Sequence, residues 1–199
     1  SAVRRDAAEP TGLIFIPVTP DGERTMFSYR GANVHLPPQE IGPELLTGSR
    51  ILHISGYNLP TNPQRESTWR AIELAQQAGI PISLDVGVEP ALRGRAEIER
   101  LLPYVSILSL GMDEARPLFE TDSPEEAAQR ALGRGVLATA IKLGSRGCLL
   151  ADHSRAFRQP GFPVQVVDTT GAGDAFCAGL LCAYLRRLDL PVAATIANA

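Results

Sequence analysis

Three observations predict an α/β fold built on a mostly parallel sheet. From Arg50 onward, short apolar runs alternate with helical patterns, the signature of βαβ units. Upstream, two β-rich runs, Leu13–Val18 and Thr25–Tyr29, flank Thr19-Pro20-Asp21-Gly22-Glu23, a hairpin signal. Finally, Asp85, Gly111, Gly144 and Gly171 fall at or just after the ends of successive apolar runs. Open α/β sheets bind ligands at those carboxyl ends, so the functional candidates gather on one edge.

The elements follow in order. Arg50–Ser55 reads as a strand, and Asn62-Pro63 opens a helix that runs to Gln77, with Gly79 as its stop. Ile80–Asp85 is the next strand, and Glu97–Leu102 lies in a short helix. Val105–Leu110 is a strand leading into a helix through Glu114 to Phe119. Ser123-Pro124-Glu125-Glu126 is a capping box, in which the serine hydroxyl and the glutamate each satisfy an orphan amide; the helix extends to about Leu132. Val136–Leu143 is a strand, and Cys148–Ala151 with Ala156–Arg158 suggests a hairpin. Val164–Val167 reads as a strand, Ala175–Leu188 as a helix, and Pro191 starts a last helix. There is no internal repeat, low-complexity tract or linker, so residues 1–199 form one domain with a β-hairpin at 11–30.

Composition narrows the function. A formal charge of −3 argues against a nucleic-acid surface, which needs a basic patch. No apolar run approaches the length that crosses a bilayer. Arg4, Arg5, Asp6 and Glu9 leave no room for the apolar core of a signal peptide, so the expected location is cytoplasmic. Cys148, Cys177 and Cys182 are too few and too poorly spaced for a disulfide framework or a zinc site, and Cys177 and Cys182 are expected to pack as small apolar residues. His35, His53 and His153 have no metal spacing and read as structural, as does Trp69.

The most informative stretch is Asp168-Thr169-Thr170-Gly171-Ala172-Gly173-Asp174-Ala175-Phe176, set between a strand pattern and a helical one. The amides of Gly171, Ala172 and Gly173 can converge at a helix N-terminus, where unpaired N–H groups and the helix dipole favour an anion. The glycines permit a close approach that a Cβ would obstruct. Asp174 is the odd residue, because a carboxylate repels a phosphate. It makes chemical sense if a neutral hydroxyl lies between them and gives its proton to Asp174 as it attacks. The plain alternative is a tight strand-to-helix turn with a first-turn acid.

This stretch closely resembles the D-T-x-G-A-G-D signature of the ribokinase-like (PfkB) carbohydrate kinases. Thr11-Gly12, Asp21-Gly22-Glu23-Arg24-Thr25 and Gly31-Ala32-Asn33 resemble the middle segment of that family, and Ile141-Lys142-Leu143-Gly144-Ser145-Arg146-Gly147 resembles its nucleotide loop. The resemblance implies a three-layer ribokinase-like fold with part of a β lid. It also implies a longer protein, because nothing here matches the family's Gly-Gly sugar-binding signature and relatives continue past Ile196-Ala197-Asn198-Ala199.

By resemblance, Gly171, Ala172 and Gly173 form the anion hole, and Asp174 is the catalytic base and meets the substrate hydroxyl. Lys142, Gly144, Ser145 and Gly147 would cradle the triphosphate, with Asn198 near the adenine. From the residues alone, Gly144 and Gly147 read as a simple hairpin bend, and Lys142 equally as phosphate ligand or solvated side chain. Glu114 matches the acid of an N-x-x-E motif that organises magnesium through water, although the motif here reads Gly111-Met112-Asp113-Glu114, with glycine for the asparagine. The alternative for Asp113 and Glu114 is a pair of helix-start acids. Asp168 and Thr170 match positions that help bind potassium in relatives. Tyr29, Arg30, Asn33, Tyr57 and Asn58 are candidates to approach a sugar. Gly56 stands where ribokinase has a sugar-contacting acid, which argues against ribose.

The expected activity is transfer of the γ-phosphate of MgATP to a primary hydroxyl of a sugar. The alternatives are a nucleoside kinase of the same fold, with Tyr57 or Phe27 stacking on a base, and a catalytically silent member that binds nucleotide or sugar. The implied partners are sugar and ATP, without nucleic acid or membrane, and a homodimer is compatible with this reading.

Overall fold

The computed structural model describes residues 3–19 and 25–199. It contains two sheets. β1 (Thr11–Phe15) and β2 (Phe27–Gly31) pair antiparallel, with Thr11 opposite Gly31 and Phe15 opposite Phe27. Most of the turn signal, Pro20 to Glu23, lies outside the described residues, as does all of the segment Asp21–Thr25 except Thr25. The second sheet has six strands in the order β3 (Leu52–Ser55), β4 (Ile82–Asp85), β5 (Ile107–Gly111), β6 (Ala138–Lys142), β7 (Cys148–Asp152) and β8 (Ala156–Gln159). β3 to β6 run parallel; β7 and β8 return antiparallel.

Helices cover both faces. α1 (Gln64–Gln77), α2 (Val88–Arg93), α3 (Arg95–Leu101), α4 (Met112–Phe119) and α5 (Pro124–Leu132) pack on one; α6 (Ala172–Leu185) and α7 (Leu190–Asn198) pack on the other. Strand periodicity sorts the side chains. Leu108, Leu110, Ile141 and Leu149 join the core beneath α1–α5, whereas Ile107, Ala140, Cys148 and Leu150 face Phe176, Leu180, Ala193 and Ala197 of α6 and α7. These inner strands are buried on both faces, which is why they read as unbroken apolar runs.

Local signals account for most boundaries. Gly79 follows α1 with φ +64°, a conformation that suits glycine. Ser123 accepts from the Glu126 amide at 3.2 Å, but the reciprocal half of the capping box is absent: the Glu126 carboxylate accepts from Thr121 and Arg130 instead.

Three elements differ from the sequence reading. Val164–Val167 is not a strand, because no strand of this chain pairs with it among the described residues; Val164, Val166 and Val167 are 73%, 65% and 89% exposed. α6 begins at Ala172, three residues before the expected Ala175, because Gly171 in the left-handed conformation turns the chain directly into it, and it ends at Leu185 rather than Leu188. α2 had no sequence signal of its own and forms where Gly87 (φ +79°) turns the chain after β4. Gly56 is dictated by packing, since a Cβ there would lie 1.8 Å from the Val86 carbonyl oxygen. An acidic side chain at 56 is excluded by this backbone.

Candidate active site

Three adjacent strand ends meet the first turn of α6. Asp85 closes β4, Gly111 closes β5, and Lys142 closes β6 in register with Gly111. Lys142 lies two residues beyond Ala140, so the pleat turns it to the α6 face. Its ammonium donates to Asp85 Oδ1 at 2.7 Å, with both side chains about four-fifths buried (19% and 21% exposed). A Cβ placed on Gly173 would stand 3.6 Å from that ammonium, so the missing side chain leaves the lysine head against the turn. One turn along α6, the buried Cys177 thiol donates to Ser109 Oγ at 3.2 Å.

Glu114 supplies the second carboxylate. It is the third residue of α4, and its Oε2 accepts from the Gly111 amide at 2.6 Å, satisfying one orphan donor of the helix start. The helix-start role is therefore real. Glu114 is also buried, and burial pushes its carboxyl above the usual carboxylate range against the opposing pull of the Lys142 charge and the Gly111 amide. For Lys142, burial acts downward, but the charges of Asp85 and Glu114 outweigh it and hold the ammonium above its ordinary value. Of the two open readings of Lys142, the solvated one is ruled out.

At the head of α6, Gly171 adopts the left-handed conformation (φ 80°, ψ −2°), and no atom lies within 4 Å of where its Cβ would be. Asp168 Oδ1 accepts from the Thr170 amide and hydroxyl, both at 2.8 Å. The Ala172 amide donates to the Thr169 carbonyl at 3.1 Å, so it is spent in closing the turn. Gly173 stands in the first turn, which has no side-chain cap. Asp174 follows it and is exposed, and among the described residues no hydrogen bond or ion pair ties its carboxylate to another side chain.

The profile of the pfkB family carbohydrate kinases matches residues 1–199. The chain belongs to that family. It is 33% identical to fructokinase-1 of Oryza sativa subsp. japonica over 186 residues, covering 88% of this chain and 57% of the rice protein. Among solved structures, adenosine kinase from Sinorhizobium meliloti superposes with a TM-score of 0.88 at 29% identity, over 95% of this chain and 59% of the other. A protein assigned as ribokinase II from E. coli, solved with ATP and Mg2+, gives a TM-score of 0.86 at 25% identity, over 96% of this chain and 63% of the other. The chain thus spans less than two thirds of these relatives.

Within this pfkB-family chain, the remaining candidates divide by geometry. Gly144 has φ +60° and open space at its Cβ, and with Ser145 and Arg146 it forms a single 3-10 turn after β6. Gly147 (φ +88°) is structural, because a Cβ there would meet the Gln159 carbonyl oxygen at 1.9 Å. Asn198 donates to the Pro160 carbonyl at 3.0 Å, beside the Thr195–Gln159 hydrogen bond, so it ties α7 to the end of β8. Asn33 sits at the root of the β1–β2 hairpin, its amide filling the space over Gly12. Tyr57 is 39% exposed, with the Arg30 guanidinium 5.9 Å from its ring centroid and Glu114 within electrostatic reach. Arg30 itself is structural, donating to the Tyr57 carbonyl at 3.0 Å and to Gln64 at 3.2 Å. Tyr29 hydrogen-bonds Glu9.

The histidines have structural partners: His35 contacts Asp6, His53 contacts Ser83, and His153 contacts the Val136 carbonyl. Trp69 packs edge-on against Tyr104 beneath Arg100. A cavity of about 660 Å³ between Arg50, Pro81 and Tyr184 lies at the opposite, amino-terminal end of the strands. There Arg50 caps the Leu185 carbonyl of α6 at 2.5 Å, far from the carboxyl edge that carries the site. No described helix is long and apolar enough to cross a membrane. Asp85 is the residue that sequence reasoning placed on the functional edge but gave no role.

Proposed function

We propose that this chain carries the phosphoryl-transfer machinery of an ATP-dependent carbohydrate kinase, which moves the γ-phosphate to a primary hydroxyl of a sugar. One observation carries the reading: a glycine turn heads α6 with Asp174 in its first turn and the Lys142 ammonium against Gly173. Phosphoryl transfer asks a protein mainly for position and for charge stabilisation. The Gly173 amide, the α6 dipole and Lys142 supply positive potential for the phosphate oxygens. Asp174, exposed and without a side-chain partner among the described residues, would take the proton of an attacking hydroxyl, a contribution worth roughly 10²–10⁴ in rate. Gly144 and Ser145, in an open turn, are suited to approach the triphosphate. Asn33 and Tyr57 stand on the hairpin side as candidates for the acceptor.

The residues also suit magnesium. Glu114 uses Oε2 on the Gly111 amide and has Oε1 left to hold a metal-bound water. Magnesium keeps several waters and is commonly held by one or two carboxylates together with substrate phosphates. When bound, magnesium would neutralise charge on the transferring phosphate. The Asp168–Thr170 turn is the candidate for a potassium-responsive element, and a cytoplasmic location and a homodimer belong to the same reading.

A nucleoside kinase is the second reading, favoured by the S. meliloti adenosine kinase likeness and by the exposed Tyr57 ring. A silent binding member is favoured by Gly111 in the magnesium motif. ATP-coupled turnover against a panel of hexoses, pentoses and nucleosides separates them. Phosphorylation of a sugar supports the first reading, and of a nucleoside the second. Nucleotide binding with no phosphorylated product supports the silent one.

A further inference from the structure

Two carboxylates, one buried and one about four-fifths buried, stand on neighbouring strand ends of the candidate site. Asp85 ends β4, and Glu114 begins the helix that leaves β5. Such a pair, partly withdrawn from water, is a natural divalent-cation site if left alone. It is not left alone. Lys142, in register with Gly111, donates to Asp85 at 2.7 Å, is electrostatically coupled to Glu114, and has its head beside Gly173. An ammonium is a compact point charge with three donors, of which Asp85 engages one.

We propose that Lys142 is the resident cation of this site: paired with Asp85 and offsetting part of the charge of Glu114, it excludes a divalent ion from the two carboxylates when no nucleotide is bound. The inference rests on the kinase reading only in assigning the later arrival of magnesium to the nucleotide. The occupancy of the carboxylates stands on the ion pair itself. Asp85 is then a positioning residue, holding the Lys142 head where it faces Gly173. With this carboxylate pair so occupied, the metal comes with the triphosphate. Glu114 then reaches it through water.

The test measures metal binding directly, without nucleotide and without turnover, so its outcome is separate from that of the activity panel. Mn2+ is titrated into wild type, Lys142→Met and the Lys142→Met/Asp85→Asn double variant, and free Mn2+ is read by electron paramagnetic resonance. The expected result is at least tenfold tighter binding of one Mn2+ by Lys142→Met than by wild type, and loss of that gain in the double variant. A folded Lys142→Met that binds Mn2+ no better than wild type overturns the proposal. Should Lys142→Met fail to fold, wild type alone decides. The Lys142 ε-methylene signals are followed by NMR during Mn2+ addition. Unchanged signals support exclusion, and saturable paramagnetic broadening overturns it.

Discussion

The Lys142 ammonium and Asp85 Oδ1, 57 positions apart in the chain, meet at 2.7 Å against the first turn of α6. The pair compensates the charge of Asp85 in a site that also holds Glu114 and Asp174. Removing one partner of a buried pair leaves the other charge uncompensated, typically at a cost of about 3–5 kcal/mol. Because both side chains here retain about a fifth of their exposure, Asp85→Asn should fall below that range. Its signature should be functional: weaker nucleotide binding with the fold retained, checked by calorimetry and circular dichroism on one preparation.

Glu114→Gln should raise the magnesium concentration for half-maximal rate and leave acceptor affinity nearly unchanged. The companion is Gly111→Asn. At position 111 φ is −91°, and a Cβ meets nothing closer than 4.0 Å, so the backbone accepts the substitution. The asparagine variant should lower the magnesium requirement. Magnesium titrations of the two variants that overlay wild type would return Glu114 to helix capping alone.

Gly144 and Gly147 should separate sharply. Alanine at 144 meets only the left-handed backbone cost, about 1–2 kcal/mol, or roughly 2–8 °C in Tm for a chain of this size. Alanine at 147 meets the same cost and a carbonyl oxygen 1.9 Å away, so its Tm should fall further or the protein should fail to fold. Nucleotide affinity should drop in Gly144→Ala, whose fold survives. Thermal melts and nucleotide titrations check both.

The thiols offer a test of the fold. Burial pushes Cys148 and Cys177 each up to about 11, while Cys182 is exposed. A raised thiol pKa keeps the protonated, unreactive form at pH 8. Native alkylation at that pH should label Cys182 alone, and alkylation in denaturant all three. Mass spectrometry reads the difference, and rapid native labelling of Cys177 would contradict the packing of α6 on β5.

Most of the sheet was legible because its inner strands are largely apolar runs bounded by turn residues, and the glycine turn was legible because Gly171 and Gly173 sit between a strand pattern and a helix. What escaped depends on contacts distant in sequence. Nothing near Lys142 reveals that Asp85 will hold it, and nothing near Gly147 reveals the Gln159 carbonyl pressed against it. Cys182 was expected to pack, but α6 is apolar on every side, so its sequence pattern carries no signal for which face is buried. Val164–Val167 has strand composition without a strand to pair with, and composition alone builds no ladder.

Asp174→Asn in the catalytically competent protein tests the central claim most directly. Asparagine keeps the shape and the place in the first turn but is a very poor proton acceptor. With Asp174 as base, kcat falls by at least about 10²-fold, and ATP affinity holds or improves because a negative charge near the triphosphate is gone. Tm changes little, since a helix-start charge is worth about 0.3–1 kcal/mol. A variant that keeps wild-type kcat would remove Asp174 from the mechanism and contradict the account.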